Sequence, residues 1–300
     1  MKFAIHRAEV EKSFSDYTSA YNLNDAKVKL KVDHTFRVAA LSDVITDSLG
    51  VAGYDKDLAW LLGMLHDIGR FEQVRRYHTL RDAFSINHAE LSADILFRDG
   101  LIRSFIEFME EVDCKANRPN AFHLYEKQDD DSLPERVKQK ALPSSSSEDY
   151  LLIEKVIRLH NVFQLPDDLT EQELRFATIL RDADKIDILR VNVENPRSAI
   201  YGVQEDIFLQ SEITDEVYEG ILQCKNLNRS IMKTPADLMV GHISFVFGLV
   251  YPVSVRLMKE QGYLETVLQF PSLNKQTRQR FSEIRKVVHE YMEERIQENL

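Results

Sequence analysis

Several histidines and aspartates of this chain occupy positions that helical periodicity places on the core-facing side of predicted helices. Each lies near apolar side chains on the same predicted helix face: His34 before Val38, His66 after Leu62, His88 before Leu91, His160 after Val156 and Asp184 after Leu180. Asp67 follows His66 directly. A buried carboxylate without a partner is costly, whereas a divalent cation offsets the charge of several such residues at once. The pattern therefore predicts a buried metal centre.

The alternative for any one of these histidines is a structural role, since a single histidine on an apolar face is usually a hydrogen-bonded core residue. Several such residues, together with inward-facing aspartates, favour metal ligation. Mixed imidazole and carboxylate ligands suit Mn, Fe, Zn or Co better than Ca. We expect one or two divalent ions per chain, with their identity open among Mn, Fe, Co, Ni, Mg and Zn.

The elements that must position these residues are helices. Only 10 Gly and 8 Pro interrupt the 300 residues, and alternation typical of strands is weak throughout. We predict an all-α fold with an apolar central helix that begins at Asp55 as its N-cap, ends near Ile68-Gly69 and is followed by a loop from Arg75 to Asn87. Further helices are predicted at about 8–20, 24–48, 88–97, 102–114, 149–160, 171–191 and 275–299.

Two further local signals concern the second half of the chain. Thr170 and Glu173 have the spacing of a capping box that opens a helix. The segment 117–148 combines three prolines with runs of aspartate and serine, which is typical of a flexible insertion.

The segment LLGMLHDIGR, with His34 before it and RDADKID after it, resembles the H…HD…D signature of the HD-domain metal-dependent phosphohydrolases. The resemblance covers about residues 25–190 and implies an HD-type helical bundle, extended by further C-terminal helices. We interpret the chain as a single domain with an HD core at about 25–190, an extension at about 191–300 and a flexible insertion at 117–148. In the family pattern the last ligand is the aspartate of Ala-Asp-Lys/Arg, which maps to Asp184, with Asp182 as the alternative.

Two more histidines sharpen the resemblance. His88 in NHAELSADIL and His160 in VIRLHN resemble the additional histidines of HD proteins that hold two metals, among them diadenosine-polyphosphate hydrolases and cyclic-dinucleotide phosphodiesterases. A bacterial HD subgroup also has a similar stretch from the HD pair to His88. The resemblance implies one metal on His34, His66, Asp67 and Asp184. It implies a second on His88 and His160, with Asp67 bridging the two.

The resemblance also implies hydrolysis of a phosphoester or phosphoanhydride bond, in a nucleotide, by a metal-activated water. Asp67 would then be catalytic, and Arg70 and Lys185, which adjoin ligands, would bind substrate phosphates. Other cations and polar groups of the same region are weaker candidates: Arg75, Arg76 and Arg81 for phosphate binding, with a solvated surface cluster as the alternative, and His78 and Asp82 as proton donors or partners of the ligands.

Composition limits the partners of the chain. A net charge of −11 argues against nucleic-acid polymers and anionic membranes. Two cysteines argue against a disulfide framework or a cysteine zinc site. Neither a signal peptide nor a membrane span is evident, so we expect a cytoplasmic protein with a small phosphorylated substrate. The oligomeric state stays open, because the long terminal helix could pair with a second copy or pack on its own domain.

Two rival interpretations differ from an enzyme. A regulatory module could bind a nucleotide at a metal-stabilised HD fold without turnover, and a structural helical protein could bury hydrogen-bonded histidines. The complete set of His34, His66, Asp67 and Asp184 favours the enzyme, because a pure binder has no need for it.

Overall fold

The computed structural model describes residues 3–106 and 148–298, which form helices and connecting segments without a β-strand. The all-α fold class is therefore confirmed. The chain forms two compact units, Met1–Leu180 and Arg181–Leu300. The helices of the first unit are α1 (Arg7–Thr18), α2 (Ala26–Ser48), α3 (Tyr54–Leu65), α4 (Ile68–Tyr77), α5 (His88–Ala93) and α6 (Glu148–Leu159). Helix α7 (Glu171–Glu194) begins in the first unit and ends in the second.

Helix α3 is the central helix of the first unit. Every residue from Leu58 to Leu65 is buried, as its apolar sequence predicts. The predicted N-cap is wrong, because Gly53 occupies that position and Asp55 lies in the first turn of the helix. Gly63 brings α3 against α2, since a Cβ atom at this position would lie 2.7 Å from the Cα atom of Ala39. This close approach holds the two helices that carry His66 and His34.

The central helix ends at Leu65, before its predicted end near Ile68-Gly69. Asp67 interrupts the helical path (φ −106°, ψ 17°), and Ile68 already begins α4. The pair His66-Asp67 thus forms the junction between two helices. Gly69 is needed for close packing rather than for a turn, because its N–H donates to Ser92 Oγ at 2.9 Å and an added Cβ would lie 2.6 Å from Ser92 N. The contact presses α4 onto α5.

The predicted loop is shorter than expected, because α4 continues to Tyr77 and the loop begins at His78, which ends the helix with a positive φ of 53°. The loop contains a short 3-10 helix, Asp82–Phe84, and ends at Asn87, whose side chain caps α5. After α5, the π-helical turn Asp94–Arg98 completes the predicted helical segment.

The segments that flank residues 107–147 are described in part. The predicted helix at 102–114 contributes a 3-10 turn, Leu101–Ser104, residues 105–106 are not helical, and residues 107–114 lie outside the described part of the chain. The predicted insertion at 117–148 also lies outside them, apart from Glu148, which begins α6. The capping box that opens α7 is confirmed: Thr170 N donates to Glu173 Oε2 at 2.8 Å, and Glu173 N donates to Thr170 Oγ1 at 3.2 Å.

The second unit continues from α7 through seven helices: α8 (Arg197–Tyr201), α9 (Glu205–Gln210), α10 (Asp215–Leu222), α11 (Pro235–Ile243), α12 (Pro252–Gln261), α13 (Tyr263–Leu268) and α14 (Lys275–Gln297). The long terminal helix is thus confirmed. Its apolar face, which includes Phe281 and Ile284, is buried in the core of this unit. In the ranges that the structure describes, no helix combines the length and the apolar character that crossing a bilayer requires.

Candidate metal centre

Asp67 lies at the centre of a buried group of imidazole rings in the first unit. Only 2% of its surface is exposed, and His34 and His66 are completely buried beside it. The Nε2 atom of each of these two rings lies 3.5 Å from Asp67 Oδ2. Lys31 reaches the same oxygen, with its Nζ at 2.6 Å. One carboxylate oxygen therefore faces two imidazole nitrogens and an ammonium group.

The other oxygen of Asp67 faces the two additional histidines. His88 Nε2 lies 3.6 Å from Asp67 Oδ1, and His160 Nε2 lies 3.9 Å from it. Arg70 Nε approaches Oδ1 at 3.4 Å, but within the described part of the chain this oxygen accepts no hydrogen bond. The potential ligand atoms of Asp67, His88 and His160 all lie within 4.8 Å of one another. The two oxygens of one carboxylate thus face two different pairs of histidines.

Hydrogen bonds at Nδ1 orient three of the rings. A backbone carbonyl three residues earlier accepts from Nδ1 of His66 at 2.8 Å and, likewise, from Nδ1 of His160 at 2.7 Å. The carboxylate of Asp82 accepts from Nδ1 of His88 at 2.6 Å. Since a neutral imidazole has one proton, Nδ1 carries it and Nε2 presents a lone pair to the centre. This orientation is the one that metal-ligating histidines adopt.

The donor set fits a divalent cation. The Nε2 atoms of His88 and His160 face each other at 2.9 Å, although both rings have their protons committed at Nδ1. Two facing lone pairs repel unless a cation lies between or beside them. The imidazole nitrogens and the carboxylate oxygens of Asp67 are the ligand types that Mn, Fe, Co, Ni and Zn accept.

The charges at the centre keep its groups in the protonation states that metal binding needs. Burial alone would raise the pKa of Asp67, but the charges of Lys31 and Arg70 outweigh it and hold that pKa well below its usual range. Burial and the charge of Arg70 lower the pKa of His88. Asp67 is therefore anionic and His88 is neutral near pH 7.

Asp82 and Gln73 belong to a hydrogen-bond network around His88, and only Asp82 was predicted from the sequence. Asp82, predicted as a partner of the ligands, orients His88, and Arg70 Nη1 donates to Asp82 Oδ1 at 3.0 Å. Gln73 is completely buried and donates to the same oxygen at 2.9 Å. Sequence reasoning missed Gln73, although its position one helical turn after Arg70 places both on one face of α4. The guanidinium of Arg70 also lies 3.2 Å from His88 Nε2, through Nη2.

Lys31 is the second residue of the candidate centre that sequence reasoning missed. Its position three residues before His34 puts both on one face of α2, which is the signal that could have identified it. The side chain is 11% exposed, which is unusual for a lysine and requires a charged partner. Asp67 is that partner.

The cations of the 75–81 segment have other partners. Arg75 and Arg76 both bond the carboxylate of Glu72, which is completely buried. The guanidinium of Arg81 lies over the exposed ring of Phe84, 4.4 Å from its centroid. His78 is exposed. Within the described part of the chain, Arg75 and Arg76 thus bind Glu72 rather than Asp67.

The α7 residues predicted from the Ala-Asp-Lys motif lie in the second unit. Both oxygens of Asp182 accept backbone N–H groups of Val250 and Tyr251, at 3.0–3.1 Å, and thereby fix the segment that leads into α12. Burial raises the pKa of Asp182 above its ordinary value. Asp184 lies one helical turn beyond Leu180 and is half-buried. Lys185 donates from Nζ to the carbonyl of Gly248 at 2.5 Å, and burial lowers its pKa to about 8.

Comparison with known proteins agrees with this geometry. A family model described as HD domain matches residues 32–189, which is more than half of the chain. The match includes every residue predicted as a metal ligand and excludes most of the second unit. Neither the curated proteins nor the solved structures include a significant match.

Proposed function

Because the chain belongs to the HD-domain family of metal-dependent phosphohydrolases, we propose that it hydrolyses a phosphoester or phosphoanhydride bond of a nucleotide. The observation that carries the proposal is the convergence of imidazole Nε2 atoms on both oxygens of Asp67, at 3.5–3.9 Å. A structural core of histidines has no need for such convergence, because each ring could be satisfied by a neighbouring carbonyl group.

Two metal ions per chain are part of this proposal. His34 and His66 would hold one ion beside Oδ2 of Asp67, and His88 and His160 would hold the other beside Oδ1. Bound cations supply a water of lowered pKa and offset the charge of the phosphoryl oxygens. The protein's own task is to keep Asp67 anionic, which the charges of Lys31 and Arg70 favour. It also holds the imidazole lone pairs toward Asp67 through the carbonyl and Asp82 hydrogen bonds.

Asp184 is proposed as the remaining ligand of the first metal. The Ala-Asp-Lys motif of the family implies an aspartate at this point, and either Asp182 or Asp184 could match it. The backbone N–H groups at the start of α12 occupy both oxygens of Asp182. Asp184 is therefore the aspartate that suits ligation.

Arg70 and Lys185 are proposed to bind the phosphates of the substrate. Support is stronger for Arg70, because its guanidinium lies 3.4 Å from Asp67 Oδ1 and 3.2 Å from His88 Nε2. Lys185 adjoins the proposed ligand Asp184 in sequence, but it already donates to Gly248. A nucleotide is preferred as the substrate because the additional histidines, His88 and His160, resemble those of HD proteins that act on dinucleotides.

The test is a hydrolysis screen of mono-, di- and cyclic nucleotides with Mn, Fe, Co, Ni, Mg and Zn. We expect release of phosphate or nucleoside phosphate by the wild-type chain and by the control Asp16→Ala, which changes an exposed aspartate of α1. Asp67→Ala should lose activity and metal together. Nucleotide binding without hydrolysis under every metal would favour the regulatory module, and absence of bound metal would overturn both.

A further inference from the structure

Lys31 is a buried cation in direct contact with the central carboxylate. Its Nζ lies 2.6 Å from Asp67 Oδ2, which is the oxygen that His34 and His66 face at 3.5 Å. A cation held by these two rings and Asp67 would approach that same oxygen. The ammonium group and the metal therefore compete for one binding position.

The competition follows from charge as well as from position. An ammonium group and a divalent ion on one carboxylate oxygen would be about 4 Å apart, where like charges in a buried site repel strongly. Positively charged groups contact Asp67 Oδ2 more closely than Oδ1, since Oδ1 accepts no hydrogen bond from any described residue. Without a metal, Asp67 would be a buried anion, and Lys31 supplies the counter-charge at Oδ2 while Arg70 Nε approaches Oδ1 at 3.4 Å.

The place of Lys31 on α2 keeps it near the centre after it leaves Asp67. It lies one helical turn before His34, and its four-carbon stem is the flexible part of the side chain. The substrate proposed above brings phosphate oxygens to the same place. The compact ammonium group of Lys31, on its flexible stem, is well suited to reach and bind these phosphate oxygens.

We propose that Lys31 is the counter-cation of the metal-free centre, that it releases Asp67 when a divalent metal binds, and that it then binds a phosphate oxygen of the substrate. This inference rests on the proposed function, because it requires a metal at Asp67. It makes Lys31 a substrate-binding residue that becomes available only after metal has bound. In the metal-free protein, Lys31 offsets the charge of Asp67. In the metal-bound protein, Lys31 is available to bind a phosphate.

The affinity for Mn²⁺ tests the proposed competition between Lys31 and the metal. Lys31→Met removes the competitor, so Mn²⁺ titrated into metal-free protein should bind about tenfold more tightly or better. Lys31→Arg keeps the charge and should stay near the wild type. Lys29→Met removes an exposed charge from the same helix and should change the affinity little, because solvent screens it. Equal Mn²⁺ affinity in Lys31→Met and the wild type would overturn the inference.

The affinity for inorganic phosphate tests the proposed binding of Lys31 to a phosphate of the substrate. With saturating Mn²⁺, inorganic phosphate should bind Lys31→Met about tenfold more weakly than it binds the wild type or Lys29→Met. An unchanged phosphate affinity would remove the substrate role from Lys31. If the wild type itself binds no Mn²⁺, the proposed function fails; if it binds Mn²⁺ and the variants do not differ from it, only this inference fails.

A measurement on the wild-type chain covers the case in which Lys31→Met does not fold. Acylation of lysines, followed residue by residue with mass spectrometry, reports whether the Lys31 amine is held by Asp67. Lys31 should react slowly without metal, faster with Mn²⁺, and slowly again when phosphate is added to the Mn²⁺ form. Lys29 should react at one rate throughout. The same slow rate for Lys31 in all three conditions would refute its release.

Discussion

The histidines that face Asp67 Oδ1 differ from those that face Oδ2 in how they are held. His34 and His66 come from α2 and from the α3–α4 junction, which pack closely at Gly63. His88 depends on a loop carboxylate, Asp82, and His160 lies just beyond the end of α6. The second pair is therefore the part of the centre that can be removed while the first remains.

Substitution of the second pair should change metal stoichiometry. His88→Ala and His160→Ala should each lower the metal content from about two ions to about one per chain, because each removes one of two imidazoles at Asp67 Oδ1. Elemental analysis of the reconstituted protein measures this number. His289→Ala, an exposed histidine of α14, is the control and should keep the wild-type content. Unchanged stoichiometry in both variants would indicate a single-metal centre.

At the scale of the elements, two glycines set the distances between the helices that carry ligands. Gly63 allows α3 to approach α2, and Gly69 allows α4 to approach α5. These contacts bring residues that are distant in sequence to one carboxylate. The centre is thus assembled by helix packing, with the HD pair at the junction of two packed helices.

Gly69→Ala should destabilise the first unit by about 1–3 kcal/mol, because the new Cβ would meet backbone atoms of α5, which cannot rotate away. Urea unfolding measures the loss. Gly220→Ala is the matched control in α10: its Cβ would meet only the end of the flexible Leu227 side chain, and alanine favours a helix. Equal stability of Gly69→Ala and the wild type would show that α4 and α5 can separate without cost.

The two aspartates of α7 should respond differently to substitution. Asp182→Ala removes the hydrogen bonds to the backbone that leads into α12 and should lower stability by about 1–2 kcal/mol while metal content stays the same. Asp184→Ala should instead lower metal affinity. Chemical denaturation and metal titration of both variants separate these effects. Loss of metal in Asp182→Ala alone would reassign the ligand.

At the scale of the whole molecule, metal binding and folding are linked. An ion that binds only the folded state at about 100 times its Kd stabilises that state by about 2.7 kcal/mol. For a unit of this size, the unfolding midpoint should rise by roughly 5–10 °C. Thermal unfolding with Mn²⁺ and with a chelator measures the difference. Asp67→Ala should show no such rise, whereas an equal rise in that variant would place the ion elsewhere.

The two units divide the predicted residues unequally. Five of the proposed ligands belong to the first unit, whereas Asp184 and Lys185 belong to the second. The proposed roles of the first unit therefore have direct geometric support in its own contacts. The roles of Asp184 and Lys185 depend on the sequence motif and on the occupied oxygens of Asp182.

The sequence by itself determined the helical fold class, the burial of the histidines and the membership suggested by His66-Asp67, because helical periodicity and short motifs are local properties. The capping box at Thr170 was predictable for the same reason. The start of a new helix at Ile68 was not, because Gly69 serves a contact with Ser92, a residue that is close only in space.

Only the tertiary structure decided which groups share Asp67. The pairing of Lys31 with Oδ2, the support of His88 by Asp82 and the bond of Asp182 to Val250 all join segments that helix packing brings together. A sequence shows which face of a helix is apolar, but it does not show which other helix packs against that face. The motif therefore predicted the candidate metal centre, and packing determined the ammonium group that faces it.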